Sequence, residues 1–331
     1  MDFRDRDLLI SEAKQRLEDA KCDHKKLVLI YAGVMTLMMA AVTALTYVLQ
    51  DQIQNTGGLS GIGMRSVLET AISLLQMGSM LLIPFWTFGY VFSILGTVRG
   101  ERMQPKDLLT GFRRFGVVLR LNLYRAIRYM LLAMLCLYPS MALYLMTPLA
   151  YPVYEILMPL MESGTTAITV DETTMMAVSE AMMPAMAVYL LVFALVSAPL
   201  FYRLRLADYI LMDEPELGVL RAVRKSTVLM HRNRLEMLKL DLRFWWYYGI
   251  QAAAMAVCYC PEWLSWFGVT VSETGALVCY GVYLLVQFGI AVLAQNRVEA
   301  TLAVAYEALL QPQPELEPVK PVDFKNVPWK W

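Results

Sequence analysis

The chain has 331 residues and a formal net charge of zero, with 58% hydrophobic and 18% charged residues. A soluble domain has about 45–50% apolar and about 25% charged residues, and it spreads its charges along amphipathic faces. Here long windows carry almost no charge and the charges crowd between them, which excludes an ordinary soluble protein. The windows reach the roughly 20 residues that a helix needs to cross about 30 Å of hydrocarbon.

The first segment, residues 1–26, is charged and precedes the first apolar window. Leu9, Ile10, Ala13, Leu17 and Ala20 recur in it at helical spacing, which predicts a short amphipathic helix on the membrane surface. A secretory signal has only a brief basic region before its apolar stretch, and then a small-residue cleavage site. Since neither is present, we expect the first apolar window to stay as a membrane anchor.

Six transmembrane helices are predicted in a membrane domain covering residues 27–310. Every backbone amide in lipid must be satisfied within a helix or a closed barrel, and strand-like alternation is absent. The predicted fold class is therefore an all-α polytopic membrane bundle. The predicted spans are 27–49, 67–94, 129–149, 185–202, 244–260 and 276–295, the last continuing as a helix past Tyr306.

Lysine and arginine predict the orientation of these spans. When alternate segments are assigned to alternate sides, 28 of the 29 basic residues fall on one side. The positive-inside rule then places both termini and the two basic loops in the cytoplasm. The outer loop 150–184 has no basic residue and carries five carboxylates, namely Glu155, Glu162, Asp171, Glu172 and Glu180.

The two basic loops each contain a predicted helical elbow at the inner interface. Both begin at a proline, Pro105 or Pro215, with an acidic residue in the first turn, as helix starts often do. Their arginines are expected to reach lipid phosphates. The predicted apolar faces are Leu108, Leu109, Phe112 and Phe115 in the first elbow, and Val219, Leu220, Val223 and Met230 in the second.

The last segment, residues 311–331, is rich in proline. Its prolines are Pro312, Pro314, Pro318, Pro321 and Pro328. This composition predicts an extended, poorly ordered cytoplasmic tail.

No catalytic, cofactor or metal motif is found. The chain lacks a nucleophile elbow, a phosphate-binding loop and a zinc-protease motif, and neither its five cysteines nor His24 and His231 have ligand spacing. The carboxylates Asp208, Asp213, Glu214 and Glu216 could form a metal or phosphodiester site. Helix-start carboxylates paired with Arg203 and Arg205 are the favoured interpretation. We therefore expect neither an enzyme nor a nucleic-acid binder.

Polar groups within the spans are few. They are Gln76, Gln251 and Gln287, with no central Asp, Glu or Lys, which disfavours ion-coupled transport. These glutamines are expected to bond between helices. Pro84, Gly89 and Pro199 could open a pocket between spans, although a kink relieved by neighbouring helices is the commoner outcome.

Basic residues at the inner face are the candidate contacts with anionic lipid. Arg120, Arg125 and Arg128 lie on the approach to the third span, where long side chains extend to the headgroups. The full set is Arg113, Arg114, Arg120, Arg125, Arg128, Arg224 and Lys225.

Several short motifs stand out along the chain, namely Gly89-Tyr90, Arg99-Gly100, Asp107–Phe112, Tyr209–Pro215, Ala222, Ser226, Leu229-Met230, Leu240–Leu242 with Trp245-Trp246, and Thr301–Tyr306. They resemble an uncharacterised family of Gram-positive membrane proteins, domain-of-unknown-function family nine-seven-five (DUF975), which implies the plasma membrane of a bacterium. The resemblance covers nearly the whole chain except the outer loop. It implies a six-helix fold akin to the membrane domain of some glycerophosphodiester phosphodiesterases, and it implies no activity.

Two functional hypotheses follow. The first is a non-enzymatic membrane protein that acts through lipid, a protein partner or a second copy of itself at the inner face. The alternative is a carrier or binder of a lipid or other amphipathic molecule, which would require a cavity between the spans.

Overall fold

The computed structural model describes residues 5–55, 61–162, 182–261, 264, 269 and 271–311. Most of the acidic outer loop and the proline-rich tail after residue 311 lie outside the described residues. The chain divides into two compact units. Unit 1 comprises Met1–Val118, Asp208–Gly218 and Leu235–Trp331, and unit 2 comprises Leu119–Ala207 and Val219–Arg234.

The described residues are helical almost throughout and contain no strand. Short 3-10 helices at Pro105–Leu109, Pro148–Ala150 and Pro215–Leu217 and a π-helical turn at Ala291–Gln295 interrupt the α-helices. The α-helices are α1 Arg6–Glu18, α2 His24–Asn55, α3 Gly61–Val98, α4 Thr110–Arg113, α5 Phe115–Leu145, α6 Tyr151–Glu162, α7 Met183–Leu204, α8 Ala207–Asp213, α9 Val219–Met230, α10 Arg234–Arg243, α11 Trp245–Cys258, α12 Glu273–Ile290 and α13 Asn296–Leu310.

Five helical segments are long and apolar enough to cross a membrane, and they coincide with the predicted first, second, third, fourth and sixth spans. They confirm the all-α polytopic bundle and the continuation of the last span past Tyr306. The predicted fifth span lies on α11, which has 14 residues, so the count of six stays a prediction. The segments are His24–Ile53, Arg65–Val98, Phe115–Leu145, Met183–Asp213 and Thr274–Leu310.

The outward faces of these helices are apolar. Leu37, Met80 and Leu285 are each more than 70% exposed, whereas a soluble monomer rarely shows large contiguous apolar surface to water. In a helix that crosses a membrane such side chains meet lipid, where they are stable.

A buried polar chain holds α2, α3 and α13 together in unit 1. The ring of Tyr31 stacks on Tyr90 with centroids 4.2 Å apart. The Tyr90 hydroxyl donates to Asn296 Oδ1 at 2.8 Å, and the Asn296 amide donates to the His24 carbonyl at 3.1 Å. Since an unpaired polar group in an apolar interior is costly, these bonds fix how the three helices meet. We call this end of unit 1, where α2 begins and α3 ends, the basic end.

The first helix is present as predicted, but its apolar face contacts protein. Leu9, Ala13 and Leu17 are buried, and α1 packs along α13. The apolar face of α1 therefore packs against α13, and its place on the membrane surface stays a prediction.

The first elbow, formed by the 3-10 helix Pro105–Leu109 and α4, packs closely on α3. The Asp107 carboxylate accepts the backbone N–H of Gln104 at 2.7 Å, as expected of an acidic first turn. A Cβ on Gly89 would lie 1.8 Å from the Leu108 carbonyl oxygen, and one on Gly111 would lie 1.9 Å from the Phe85 carbonyl oxygen. The two backbones approach so closely that only glycine fits at either position.

The predicted apolar faces of the elbows are only partly buried. In the first elbow Leu108 is buried, and Phe112 and Phe115 both stack on Phe85. In the second, α9 buries Val223 and Met230, but Leu220 is 70% exposed.

Unit 2 contains α6 and α7 and most of α5, together with α9. The Ser226 hydroxyl on α9 donates to the Arg203 carbonyl at 2.7 Å. Arg125 on α5 donates to the Leu204 carbonyl at 3.0 Å. Both bonds satisfy carbonyls at the end of α7, which the helix itself cannot satisfy. A separate small core contains Tyr144, Ala150, Val153 and Ala185.

Replacing Gly89 with alanine is expected to lower the free energy of unfolding by about 1–3 kcal/mol, because the added methyl group overpacks the contact with Leu108. Gly78→Ala is the matched control in the same helix, since nothing lies within 4 Å of its Cβ. The control should be neutral or stabilising by up to about 1 kcal/mol. Thermal unfolding in detergent measures the difference, and equal midpoints for the two variants would contradict the close contact.

Candidate functional site

A cavity of about 260 Å³ lies among α2, α3, α11, α12 and the π-helical turn, entirely within unit 1. Its walls combine hydrogen-bonding and apolar side chains, and none of the lining residues is charged. The lining residues are Tyr31, Ala32, Met35, Thr36, Met39, Ile83, Tyr247, Gln251, Tyr283, Leu284, Gln287, Ala291 and Gln295.

The lining residues follow a spacing of four along three helices. On α2 they include Tyr31, Met35 and Met39, and on α11 Tyr247 and Gln251. Residues four apart share one face of a helix, so each helix presents one stripe of side chains to the cavity.

The longest stripe runs from Tyr283 through Gln287 and Ala291 to Gln295. Four residues turn an α-helix by about 400°, so each step of four drifts by about 40° from the starting face. The π-helical turn Ala291–Gln295 is wider because its bonds join residues five apart. It offsets part of the drift and lets Gln295 face the same cavity as Gln287.

The polar wall of the cavity continues into the packing of unit 1. Tyr31 shares a hydrogen bond with Thr87 at 3.4 Å and belongs to the stack with Tyr90 described above. The side chains of Tyr247 and Gln251 are hydrogen bonded to each other. The polar groups are therefore held in place, as a preformed binding site requires.

A cluster of charges lies at the basic end of unit 1. Arg99, just after α3, makes a two-pronged contact with Asp213, with N–O distances of 2.6 and 3.0 Å. Its Nε donates to Glu307 Oε1 at 3.0 Å, and the Tyr306 hydroxyl donates to Asp213 Oδ2 at 2.8 Å. Arg16 on α1 binds the second oxygen of Glu307. One arginine thus joins the ends of α3, α8 and α13.

The charged cluster is tightly bonded. Hydrogen bonds with Asp213 raise the pKa of the Arg99 guanidinium above its usual value, burial acts against this rise, and Glu307 adds to it. Burial lowers the pKa of Arg16, but hydrogen bonds with Glu12 and Glu307 outweigh it and leave the pKa raised. A planar guanidinium suits such multiple contacts better than a lysine would.

The carboxylates singled out in the sequence do not form a metal site in the described part of the chain. No group of three or more His, Cys, Asp and Glu side chains is placed there to hold a metal ion. Asp213 pairs with Arg99, because the fold brings the end of α3 beside α8, and the predicted pairing of these carboxylates with Arg203 and Arg205 stays a prediction. Arg205 lies over the rings of Phe201 and Tyr202.

The predicted lipid-contact residues differ in their surroundings. Arg113, Arg120 and Arg224 are exposed. Arg114 lies over Phe92 and donates to the Leu211 and Met212 carbonyls at the end of α8.

The remaining members of the predicted lipid-contact set contact this chain or are partly covered. Arg128 is exposed and lies over Tyr124, Arg125 contacts the Leu204 carbonyl as described, and Lys225 is half-buried.

Two of the three predicted intramembrane glutamines line the cavity. Gln251 and Gln287 face it, whereas Gln76 is exposed on α3. Sequence reasoning missed Gln295, although its spacing of four from Gln287 through Ala291 is visible in the sequence. No feature of the sequence near Arg99 indicates its role, because its partners Asp213 and Glu307 lie far away in the chain.

Together the fold and the site define an all-α polytopic membrane bundle of unknown activity with a partly open cavity between helices of unit 1. The chain belongs to the family described as protein of unknown function (DUF975), which matches residues 4–311. The family indicated by the sequence motifs is thereby confirmed. No curated protein and no solved structure matches the chain.

Arg99→Gln is expected to lower the free energy of unfolding by about 1–3 kcal/mol, because it leaves Asp213 and Glu307 without their charged donor. Arg65→Gln is the control. Arg65 pairs with Glu69 at 2.9 Å, but both side chains are more than half exposed, so its loss should cost less than about 0.5 kcal/mol. Unfolding midpoints in detergent measure both changes, and an Arg99 variant no less stable than the control would refute the role of the cluster.

Proposed function

We propose that this chain is a non-enzymatic membrane protein that binds or carries an amphipathic molecule in the cavity of unit 1. The observation that carries this proposal is a cavity between membrane-type helices with Gln251, Gln287 and Gln295 on its wall. Glutamines at such depth are costly unless they bond to other helices or to a ligand. Gln251 bonds to Tyr247 on its own helix, and Gln295 bonds to Tyr31 on α2. Each amide has more than one donor and acceptor position, so three of them converging on one open volume favour a ligand.

The size of the cavity limits what it holds. Ligand sites for drug-sized molecules usually measure about 300–1,000 Å³, and this one has about 260 Å³. It suits a small amphipathic molecule, or the polar end of a larger lipid whose chains lie outside the cavity, rather than a whole phospholipid.

The wall of the cavity selects a neutral polar group. Its polar side chains are amides and hydroxyls, which donate and accept hydrogen bonds, and no ionised side chain among the lining residues offsets a ligand charge. Burying an unpaired charge there would cost far more than burying a hydroxyl. A hydroxyl, ester or amide group fits this chemistry.

The rest of the wall suits a flexible apolar chain. Met35 and Met39 lie beside Ile83 and Leu284, and methionine adapts its shape to different apolar ligands. The polar and apolar walls together define an amphipathic guest.

The proposal also covers the membrane in which the chain lies and its orientation there. With the six predicted spans, 28 of the 29 basic residues fall on one side, which supports both termini in the cytoplasm. The five apolar helices support a place in a membrane, and the plasma membrane of a Gram-positive bacterium rests on the sequence motifs. In this orientation the basic end of unit 1 lies at the inner face. A relation to the membrane domain of glycerophosphodiester phosphodiesterases belongs to the same proposal and rests on the sequence motifs alone.

A second candidate function is contact with anionic lipid at the inner face, in which a protein partner or a second copy of the chain could also take part. The observation that favours it is the exposure of Arg113, Arg120 and Arg224. Each cation near an anionic membrane surface contributes about 1 kcal/mol to binding. This contact is compatible with a guest in the cavity.

The orientation predicts which side a membrane-impermeant maleimide labels. In a variant without the five native cysteines, a cysteine replacing Glu180 should be labelled in intact cells. A cysteine replacing Arg224 should be labelled only after lysis. Labelling of the Arg224 position in intact cells, or protection of the Glu180 position, would reverse the proposed topology.

Binding in the cavity predicts where a photoreactive lipid attaches. A monoacylglycerol with a diazirine in its chain has a neutral diol head and should label peptides of α2, α11 and α12. The double variant Gln251→Leu, Gln287→Leu should reduce this labelling about tenfold, since each lost hydrogen bond is worth roughly 0.5–1.5 kcal/mol.

Gln76→Leu is the control for that experiment, because it removes the same kind of side chain from an exposed position on α3. Its labelling should equal that of the unchanged protein. Labelling that is the same in all variants, or that falls on other peptides, would contradict binding in the cavity.

A further inference from the structure

A second pocket of about 290 Å³ lies at the basic end of unit 1 and shares no residue with the cavity. It is formed by the connection between α1 and α2 and by the turn that follows α3. Three basic side chains line it, Lys21, Lys26 and Arg102. They come from two segments far apart in the chain, so the fold brings the charges together.

The wall on the side of α3 is set by a tight helix ending. The Glu101 N–H bonds to the Gly96 carbonyl at 2.9 Å, and the Gly100 N–H bonds to the Thr97 carbonyl at 3.0 Å. This pair of bonds is the Schellman motif, which requires a residue with left-handed backbone conformation just after the helix. Gly100 supplies it with φ of +76°. The chain therefore reverses at once and places Arg102 at the pocket.

The opposite wall, formed by the connection between α1 and α2, is also held against the end of α3. The Cys22 sulfur lies 3.3 Å from the Thr97 hydroxyl, which holds the connection before α2 against the end of α3. The carboxylate of Asp23 accepts a hydrogen bond from the backbone N–H of Lys26 at 3.1 Å. The acidic group of the pocket is therefore already hydrogen bonded to the first turn of α2.

The charges of the pocket favour an anion. The three cations face one carboxylate, that of Asp23. In the described part of the chain no ion pair is found for Lys21, Lys26 or Arg102. All three side chains are exposed and free to close on a ligand. Convergent lysine and arginine donors are the usual partners of phosphate.

The apolar part of the pocket points to the source of that phosphate. Leu27, Met103 and Pro105 complete the wall, and Leu27 is among the first residues of the span His24–Ile53. The pocket thus lies where an apolar span meets its charged flank, which is the level of lipid headgroups.

We propose that the pocket lined by Lys21, Lys26 and Arg102 binds a phosphate group, supplied by the headgroup of an anionic phospholipid. This site deepens the second candidate function, since it assigns the anionic-lipid contact to residues other than the exposed arginines of the elbows. It does not depend on a guest in the cavity.

The test compares three purified variants in detergent by native mass spectrometry, with phosphatidylglycerol and phosphatidylcholine as probes. The pocket variant is Lys21→Gln, Lys26→Gln, Arg102→Gln. The elbow variant is Arg113→Gln, Arg120→Gln, Arg224→Gln. The charge-matched control is Lys14→Gln, Arg232→Gln, Lys239→Gln, whose residues lie outside the pocket and carry the same total charge.

The pocket variant should lose affinity for the first phosphatidylglycerol by about fivefold for each cation removed. The control should keep the affinity of the unchanged protein, and phosphatidylcholine should bind weakly to all. Equal losses in the pocket variant and the control, or no loss in the pocket variant, would overturn the proposed site. A loss confined to the elbow variant would overturn it too, while leaving the second candidate function standing.

Inorganic phosphate distinguishes the source of the anion. If the phosphate is that of a lipid, millimolar phosphate should leave phosphatidylglycerol binding and the unfolding midpoint unchanged. If phosphate alone raises the midpoint of the unchanged protein but not of the pocket variant, and the lipid affinities of the two are equal, the site binds free phosphate instead. That outcome supports the phosphate chemistry and overturns the lipid source.

Discussion

The structure depends on one constraint, which is that a polar group surrounded by apolar helices must be bonded within the protein. In unit 1 this constraint fixes the helix contacts. Tyr90 and Asn296 bond α3 to α13 and to the start of α2. Arg99 satisfies Asp213 and Glu307 at once. Each of these bonds joins residues that lie far apart in the sequence. The polar groups therefore determine which helices meet, and the apolar side chains fill the space around them.

In the cavity the same constraint leaves hydrogen-bonding side chains facing an open volume. Gln251, Gln287 and Gln295 converge on one volume instead of being closed off by packing. The π-helical turn Ala291–Gln295 keeps the last of them on the same face, and such turns occur frequently at functional sites. The bundle thus combines a hydrogen-bonded polar frame at its basic end with an amphipathic cavity wall, as the proposed function requires.

The helices could be predicted from the sequence because apolar windows and charge segregation are local signals. The two glycines at the contact between α3 and the first elbow belong to the family motifs and were visible in the sequence, but the reason for them was not. Gly89 and Gly111 are required by contacts with Leu108 and Phe85, and such contacts leave no trace in a single segment. The packing of α1 on α13 and the pairing of Arg99 with Asp213 were missed for the same reason, since they join distant segments.

The central claim is that the cavity of unit 1 holds an amphipathic guest. A density map of the protein in lipid nanodiscs, prepared without added ligand, tests it most directly. The account predicts elongated density in the cavity, with one end within hydrogen-bonding distance of Gln251 or Gln287 and the other against Met35 and Met39. Side chains that close the volume, with no density between α2, α11 and α12, would contradict it.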